Sequence, residues 1–304
     1  MSLELETVDI VIPTVGRWDF VHQALDTMET QVGVITRPIV ANDSGEPTPD
    51  DIRDRAEIVE TTGWTGEGAA RVAGVGLVES KFVAFCDDDD RWEPNKLELQ
   101  VEALNKAGND DAWCLTGAIR VDEHNHEIDQ WSLATMIRLQ ERGDLERRML
   151  SHNPVPAGPS AVLVTASLLD KVGGWNPNMQ YFADWDLWIR LMRAADPILI
   201  DEPLVRYRIW EGQMVSDRRR GWAALDTIRE ANAERRAELG VGPLDDRVIA
   251  WILQGELARA DRRLPGIKAA LSRSIPKKPS DLRAIARYAQ EAGERLVTNR
   301  DTKP

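Results

Sequence analysis

Short apolar runs alternate with amphipathic stretches from the start of the chain. Val8 to Ile12 reads as a strand, Trp18 to Thr30 as a helix and Pro38 to Ala41 as a second strand. This βαβ rhythm predicts an α/β fold. It continues through a strand at Glu57 to Glu60, a Gly-rich turn at Gly63 to Gly68, a helix from Ala69 to Val78 and the run Phe82 to Cys86. That run is apolar at every position. Continuous hydrophobicity implies cover on both faces, as in the middle of a parallel sheet. Pro94 then opens a helix reaching about Lys106, since the first helical turn tolerates proline.

The pattern changes after this point. Two strand-like pieces, Ala112 to Gly117 and Ala118 to Asp122, precede a polar hairpin at Glu123 to His126 and a helical stretch around Leu133 to Arg142. A strand at Ala161 to Thr165 leads into a short helix and a Gly173-Gly174-Trp175 turn, so the sheet is predicted to be mixed. Beyond Gly212 the composition turns to Arg, Glu, Ala and Leu, with helices expected near Gly221 to Leu239, Asp245 to Ala260 and Ser280 to Leu296, punctuated by Pro243, Pro265 and Pro276. There is no internal repeat, which makes this a helical C-terminal appendage and not a solenoid. The expected division is a main domain over 1–216 and a helical region over 217–304.

Composition narrows the function classes. A chain of 304 residues suits one large domain with an appendage. No apolar run is long enough to span a bilayer, and Glu4, Glu6 and Asp9 stand where a secretory leader needs positive charge, so a cytoplasmic location is expected. Cys86 and Cys114 each sit inside an apolar run, which predicts reduced, packed thiols and excludes a Cys-based metal site. The excess of 51 acidic over 38 basic side chains gives a net charge of -13, which repels nucleic acid and anionic lipid surfaces. The same field opposes an anionic substrate, so such a substrate would need a mediating cation.

The acidic run Asp87, Asp88, Asp89 and Asp90 directly follows the buried strand Phe82 to Cys86. In open α/β sheets ligands bind beyond the carboxyl ends of the strands. Four adjacent carboxylates repel one another unless they are solvated or a divalent cation takes up their charge through oxygen ligands. The bland alternative is an acidic loop favoured by the dipole of the following helix. Trp92, Pro94 and Lys96 close behind favour the functional reading. Thr14 places a hydroxyl in the loop after the first strand, where it either touches a ligand or satisfies the turn. His22, His124, His126 and His152 show no metal-ligand spacing.

The segment from Phe82 to Leu97, with Asp87-Asp88-Asp89-Asp90-Arg91-Trp92 at its centre, resembles the Asp-x-Asp region of family-2 glycosyltransferases with the GT-A fold. Val11-Ile12-Pro13-Thr14 is similar to that family's first strand and nucleotide loop, Asn42-Asp43-Ser44-Gly45 to its second, and Gly66 to Arg71 to the turn and helix before the acidic motif. Further on, Gly173-Gly174-Trp175-Asn176 and Asp184-Trp185-Asp186-Leu187-Trp188 resemble its catalytic region, and Asp201 to Arg208 the strand after it. Five segments in order, over roughly 7 to 216, carry the resemblance.

The resemblance implies a GT-A type, Rossmann-like mixed sheet sandwiched by helices. It implies inverting transfer of a sugar from a UDP-sugar to a hydroxyl-bearing acceptor, assisted by Mn or Mg. Asp87 and Asp89 would be the metal pair, with Asp89 on the ion and Asp87 and Asp88 on ribose or metal-bound water. Asp43 would bond the uracil, and Pro13, Thr14 and Arg71 would lie beside the nucleotide. Asp184 would be the catalytic base, and it also reads as the N-cap of its helix. Asp186 would either favour the helix dipole or support the site from behind. Trp175, Trp185 and Trp210 would flank the acceptor side, with core packing the default for most of the tryptophans and Trp175 the expected sugar contact.

Two positions depart from the family pattern. Ala183 stands where relatives often have Glu, and Trp210 where a His metal ligand often follows the Tyr-Arg pair, which implies a weaker metal site or water in its place. Glu211 is either a substitute ligand or a solvated turn side chain, and Arg218, Arg219 and Arg220 form either a cationic loop over the diphosphate or a solvated helix start. The alternatives are a non-catalytic nucleotide-sugar-binding scaffold and a nucleotidyltransferase. The acceptor is expected to be a glycan, small molecule or protein, and the helical tail is a candidate surface for homodimerisation.

Overall fold

A computed structural model describes residues 5–137, 142–179, 181–210 and 219–241. The helices expected at Asp245 to Ala260 and Ser280 to Leu296, together with Glu211 and Arg218, lie outside the described residues.

The chain runs through β1 (Thr7–Thr14), α1 (Trp18–Glu29), β2 (Ile35–Asn42), α2 (Asp50–Arg53), β3 (Glu57–Glu60), α3 (Glu67–Val75), β4 (Phe82–Phe85), β5 (Arg91–Trp92), α4 (Lys96–Ala107), β6 (Trp113–Val121) and β7 (Glu127–Trp131). It continues with α5 (Ala134–Ile137), α6 (Arg142–Ser151), a 3-10 turn (Gly158–Ala161), β8 (Val162–Thr165), α7 (Ala166–Lys171), α8 (Ala183–Ala194), β9 (Ile198–Arg208), α9 (Arg219–Ala231) and α10 (Ala233–Glu238). The strands form one mixed sheet in the order β3-β2-β1-β4-β8-β6-β9-β5, with β7 paired to β6. β1, β2, β3 and β4 are mutually parallel, whereas β8 runs antiparallel to both β4 and β6.

The apolar pattern explains this half of the sheet. Val8, Ile10, Val11 and Ile12 of β1 and all of β4 are buried, because α1 and α3 flank the parallel strands. Gly74 lets α3 approach, since a Cβ there would lie about 2.5 Å from Val11 Cγ1. Behind the antiparallel half, Trp113 of β6 stacks on Trp188 of α8 at 6.0 Å between ring centroids. Cys86 and Cys114 are free and buried, as expected.

Several boundaries differ from the sequence reading. β4 is bordered by one parallel and one antiparallel neighbour, not by two parallel strands. The two pieces after Ala112 are one strand, β6. The break read at Gly117 is real as a shift in register against β9. α4 begins at Lys96 with Asn95 as its N-cap, so Pro94 precedes the helix. The stretch from Leu133 divides into α5 and α6, with 138–141 outside the described residues. The region after Gly221 is two helices, α9 and α10, broken at Asn232.

The described residues fall into two compact units, 5–146 with 154–210 and 147–153 with 219–241. The first holds the whole sheet. In the second, Arg147 Nε donates to Leu239 O at 2.9 Å, and the Arg236 guanidinium donates to Leu150 O, which ties α6 to α10.

Candidate active site

The acidic run leaves the carboxyl end of β4 and folds back so that each carboxylate meets a different neighbour. Asp88 accepts the Thr14 hydroxyl at 2.6 Å and Arg17 Nε at 3.0 Å on one oxygen, and Arg17 Nη2 on the other. Thr14 Oγ1 also accepts the amides of Gly16 and Arg17, at 3.2 and 3.3 Å. The hydroxyl thus builds the loop and orients Asp88, the turn-forming alternative for this residue. Pro13 lies just before it, half-buried and paired with Ala41 of β2.

Asp89 accepts Trp210 Nε1 at 2.8 Å and lies 3.4 Å from Arg17 Nη1. Its backbone oxygen takes Arg208 Nε at 2.9 Å. Asp90 is buried and accepts the Arg208 amide at 3.2 Å, so it anchors β9 below the site. Asp87 takes Arg71 Nη2 at 2.5 Å, and its amide donates to Ser160 Oγ at 3.0 Å. Arg71 also pairs with Glu67 at 2.5 Å.

Burial outweighs these partners. It pushes Asp87 up to about 6, with the charges of Glu67 and Asp89 adding to the rise and Arg71 and Arg17 opposing it. It pushes Asp88 up to about 7, with Asp89 adding and Arg17 and Thr14 opposing. Asp90 is driven well above the usual carboxylate range by burial and by Asp89 and Asp87. Perturbed carboxylates cluster at functional sites, and these are gathered at the end of a central strand.

Asp184 joins this group from the other side of the chain. It sits half-buried in the first turn of α8, with its Oδ2 about 3.3 Å from where a Cβ on Gly158 would stand. Its charge acts on both Glu67 and Arg71. The N-cap reading is corrected, because α8 begins at Ala183 and its N-cap is Phe182, in a left-handed conformation with φ 57°. Asp184 lies one residue inside the helix, near its positive end. Asp186 instead pairs with Arg190, whose Nη1 donates to Val172 O and Gly174 O at 2.7 Å each and so braces the Gly-Gly-Trp turn.

Asp43 is buried and already committed. Its Oδ1 takes the Thr61 hydroxyl and both Thr65 N and Thr65 Oγ1, at 2.9 and 2.7 Å, while Oδ2 takes Gly66 N at 2.9 Å. Burial raises its pKa, and these hydrogen bonds more than reverse the effect, leaving it lowered. It organises the loop over 61–66, with acceptor capacity remaining on Oδ2.

The tryptophan expectations are corrected. Trp175 is 3 % exposed, edge-on to Phe85 and Trp188, with the Arg71 guanidinium 4.7 Å above its ring. It supports Arg71 and offers no open face to a sugar. Trp185 is in the core, the default expected of most of the tryptophans. Trp210 belongs with Asp89, Arg17 and Phe20 beside the acidic run, not on the side of Asp184. The sequence reading missed Arg17 and Glu67. The available signal was an arginine three residues beyond Thr14 in the first loop and a glutamate one helical turn before Arg71.

Among the described residues no cluster of three or more His, Cys, Asp or Glu could by itself hold a metal. The donor set is nonetheless suited to a hard cation. Asp87 and Asp89 each direct a single carboxylate oxygen at the partners named above, and Mg-type sites commonly use one or two carboxylates with substrate phosphates completing the shell.

Residues 9–167, more than half of the chain, match the family model of Glycosyl transferase family 2. The chain belongs to that family. The match covers Thr14, Asp43, Arg71 and Asp87 to Asp90 and stops before Asp184. Membership decides against the nucleotidyltransferase alternative and makes this a glycosyltransferase.

An uncharacterised glycosyltransferase of Rickettsia typhi is 24% identical over 236 residues, 74% of this chain and 69% of the relative. One from Rickettsia prowazekii is 26% identical over 212 residues, covering 68% of this chain and 65% of its own length. The chain spans only 33% of a longer relative in Rickettsia conorii. Among solved structures, S. aureus TarS 1-349 in complex with UDP-GlcNAc superposes with a TM-score of 0.57 at 14% identity over 89% of this chain and 82% of that one. The mannosyltransferase PcManGT from Pyrobaculum calidifontis, in complex with GDP-Man and Mn2+, gives 0.54 at 17% identity, covering 96% and 81%. This likeness establishes the GT-A fold. No helix among the described residues is long and apolar enough to cross a membrane.

Proposed function

We propose that this family-2 glycosyltransferase binds a UDP-sugar along the carboxyl ends of β1, β2 and β4 and transfers the sugar, with inversion, to a hydroxyl-bearing acceptor. The observation that carries the reading is the gathering of Asp87, Asp88, Arg17, Arg71 and Asp184 at the carboxyl end of β4 by direct bonds and charge coupling. The two solved relatives named above hold nucleotide-sugars, which supports the donor class.

In this reading Asp184 takes the proton of the acceptor hydroxyl as its oxygen attacks the anomeric carbon, and the bond from that carbon to the diphosphate oxygen breaks. The bonding electrons leave on the diphosphate, whose charge Arg17 and Arg71 face from either side of the acidic run. A divalent Mn or Mg ion held by Asp87 and Asp89 would add electrophilic stabilisation of the diphosphate. Asp43 serves by fixing the loop over 61–66, and Trp175 by holding Arg71 in place.

Release of UDP from a panel of UDP-sugars, with and without Mn, tests this. Native chain is expected to release UDP, Asp184→Asn to bind UDP without releasing it from the sugar, and Asp89→Ala to lose the metal response. Equal release by native chain and Asp184→Asn would remove Asp184 from the chemistry.

A further inference from the structure

Trp64 is 74 % exposed, above every other large apolar side chain among the described residues. Its backbone is in the left-handed region with φ 54°, between Gly63 at 85° and Gly66 at 102°. That conformation is an outlier for a bulky side chain and persists only where the surroundings enforce it. Here the surroundings are on hand. Trp64 N donates to Asp43 O at 2.7 Å, and the next two residues are tied to the Asp43 carboxylate. Gly63 lies so close to Gly45 that a Cβ on it would fall 2.6 Å from Gly45 Cα. The chain therefore holds an indole out in solvent, on a strained backbone, with nothing gained for the core. Strain retained without burial is expected where a side chain is positioned for a ligand.

The position says which part of the ligand. The Asp43 amide donates to Thr14 O at 2.8 Å, and Thr14 in turn holds Asp88. In the strand order β3-β2-β1-β4, the loop bearing Trp64 follows β3, and the acidic run follows β4. Three strand spacings of about 4.8 Å separate them, about 14 Å in all. A nucleoside diphosphate with its phosphates at Arg17 and Arg71 is long enough to bring its base to this loop, where the exposed indole offers an open face. We propose that Trp64 stacks on the nucleobase of the donor. This rests on the donor-site reading above. Base stacking on an aromatic face is tolerant of base identity, so the same role holds for a uracil or a guanine donor.

The test is the dissociation constant of UDP and of GDP, and separately of inorganic pyrophosphate, each with Mn present, for native chain, Trp64→Phe, Trp64→Ala and Trp64→Gly. The nucleotide bound more tightly by native chain should bind about tenfold or more weakly to Trp64→Ala and Trp64→Gly and within about threefold of native to Trp64→Phe, with pyrophosphate unchanged throughout. Trp64→Gly should melt at or above the native temperature, since glycine relieves the left-handed strain, so loss of affinity there cannot be loss of fold. Native-like nucleotide affinity in the folded Gly variant overturns the stacking role alone. If native chain binds pyrophosphate and neither nucleotide, both the stacking role and the nucleotide-donor reading fall.

Discussion

The two ends of the central strand β1 and its neighbours bury aspartate in opposite ways. At the amino end, Asp9 is 0 % exposed and fully served, taking Glu79 N at 2.6 Å, Ser80 N and Ser80 Oγ at 2.8 Å, and Arg37 Nη1 at 3.1 Å. Burial raises its pKa, and these donors more than reverse the effect, leaving it lowered. At the carboxyl end, Asp87 and Asp88 are raised to about 6 and about 7. Asp9 contributes stability that is present above the ordinary value of 3.8 and is lost as pH falls. The contribution of Asp87 and Asp88 has the other sign, being complete below 3.8 and lost as pH rises through about 6 and about 7. One end uses its charge to hold the fold. The other holds carboxylates whose ionisation costs stability, a pattern that clusters at functional sites.

The contrast breaks first if Asp184→Asn fails to separate function from stability. Transfer is expected to fall by about 10²–10⁴-fold, with a melting temperature at or above native; a lower melting temperature with undiminished transfer would reverse the assignment. Asp9→Asn should do the opposite. The asparagine oxygen can still accept from Glu79 N and Ser80 N, but the charge that Arg37 pairs with is lost, costing about 1–3 kcal/mol in denaturant unfolding, while transfer per folded molecule stays native. The smallest effect concerns Lys96, fully buried behind the acidic run, where its Nζ donates to Gln100 Oε1 at 2.7 Å and lies 3.9 Å from the Trp92 ring centroid. Burial depresses it from 10.5 to about 7, against the opposing charges of Cys114 and Cys86. Between those values the unfolded chain binds a proton that the folded chain does not, so stability rises with pH across this window. Lys96→Met should therefore be more stabilising near pH 6 than near pH 10, because the cost of burying the amine is present below about 7 and fades as pH rises toward 10.5. An equal gain at both pH values would show that Lys96 is not buried as a neutral amine.

Hydrophobic period and position in the chain made the parallel half legible. The run from Phe82 announced β4, and the acidic run after it announced the site. Partners across the sequence were not legible. Nothing local to Arg17 says that it spans Asp88 and Asp89, because those contacts close 71 and 72 residues away. Asp9 looked like one more N-terminal acid, since its four donors arrive from β2 and from the turn before β4. Trp175 and Trp210 were misplaced for the same reason, as exposure is set by packing that sequence spacing does not encode. The β6 break was readable at Gly117, but that both pieces formed one strand depended on β9, far along the chain.

The account stands most directly on the melting temperature with and without UDP and Mn, compared across native chain, Asp9→Asn and Asp89→Ala. Ligand that binds only the folded state raises that temperature. Asp9→Asn is predicted to start lower and gain the native increment, and Asp89→Ala to start near native and gain little or none. A full increment in Asp89→Ala, or its loss in Asp9→Asn, would contradict the division of labour between the two ends of the sheet.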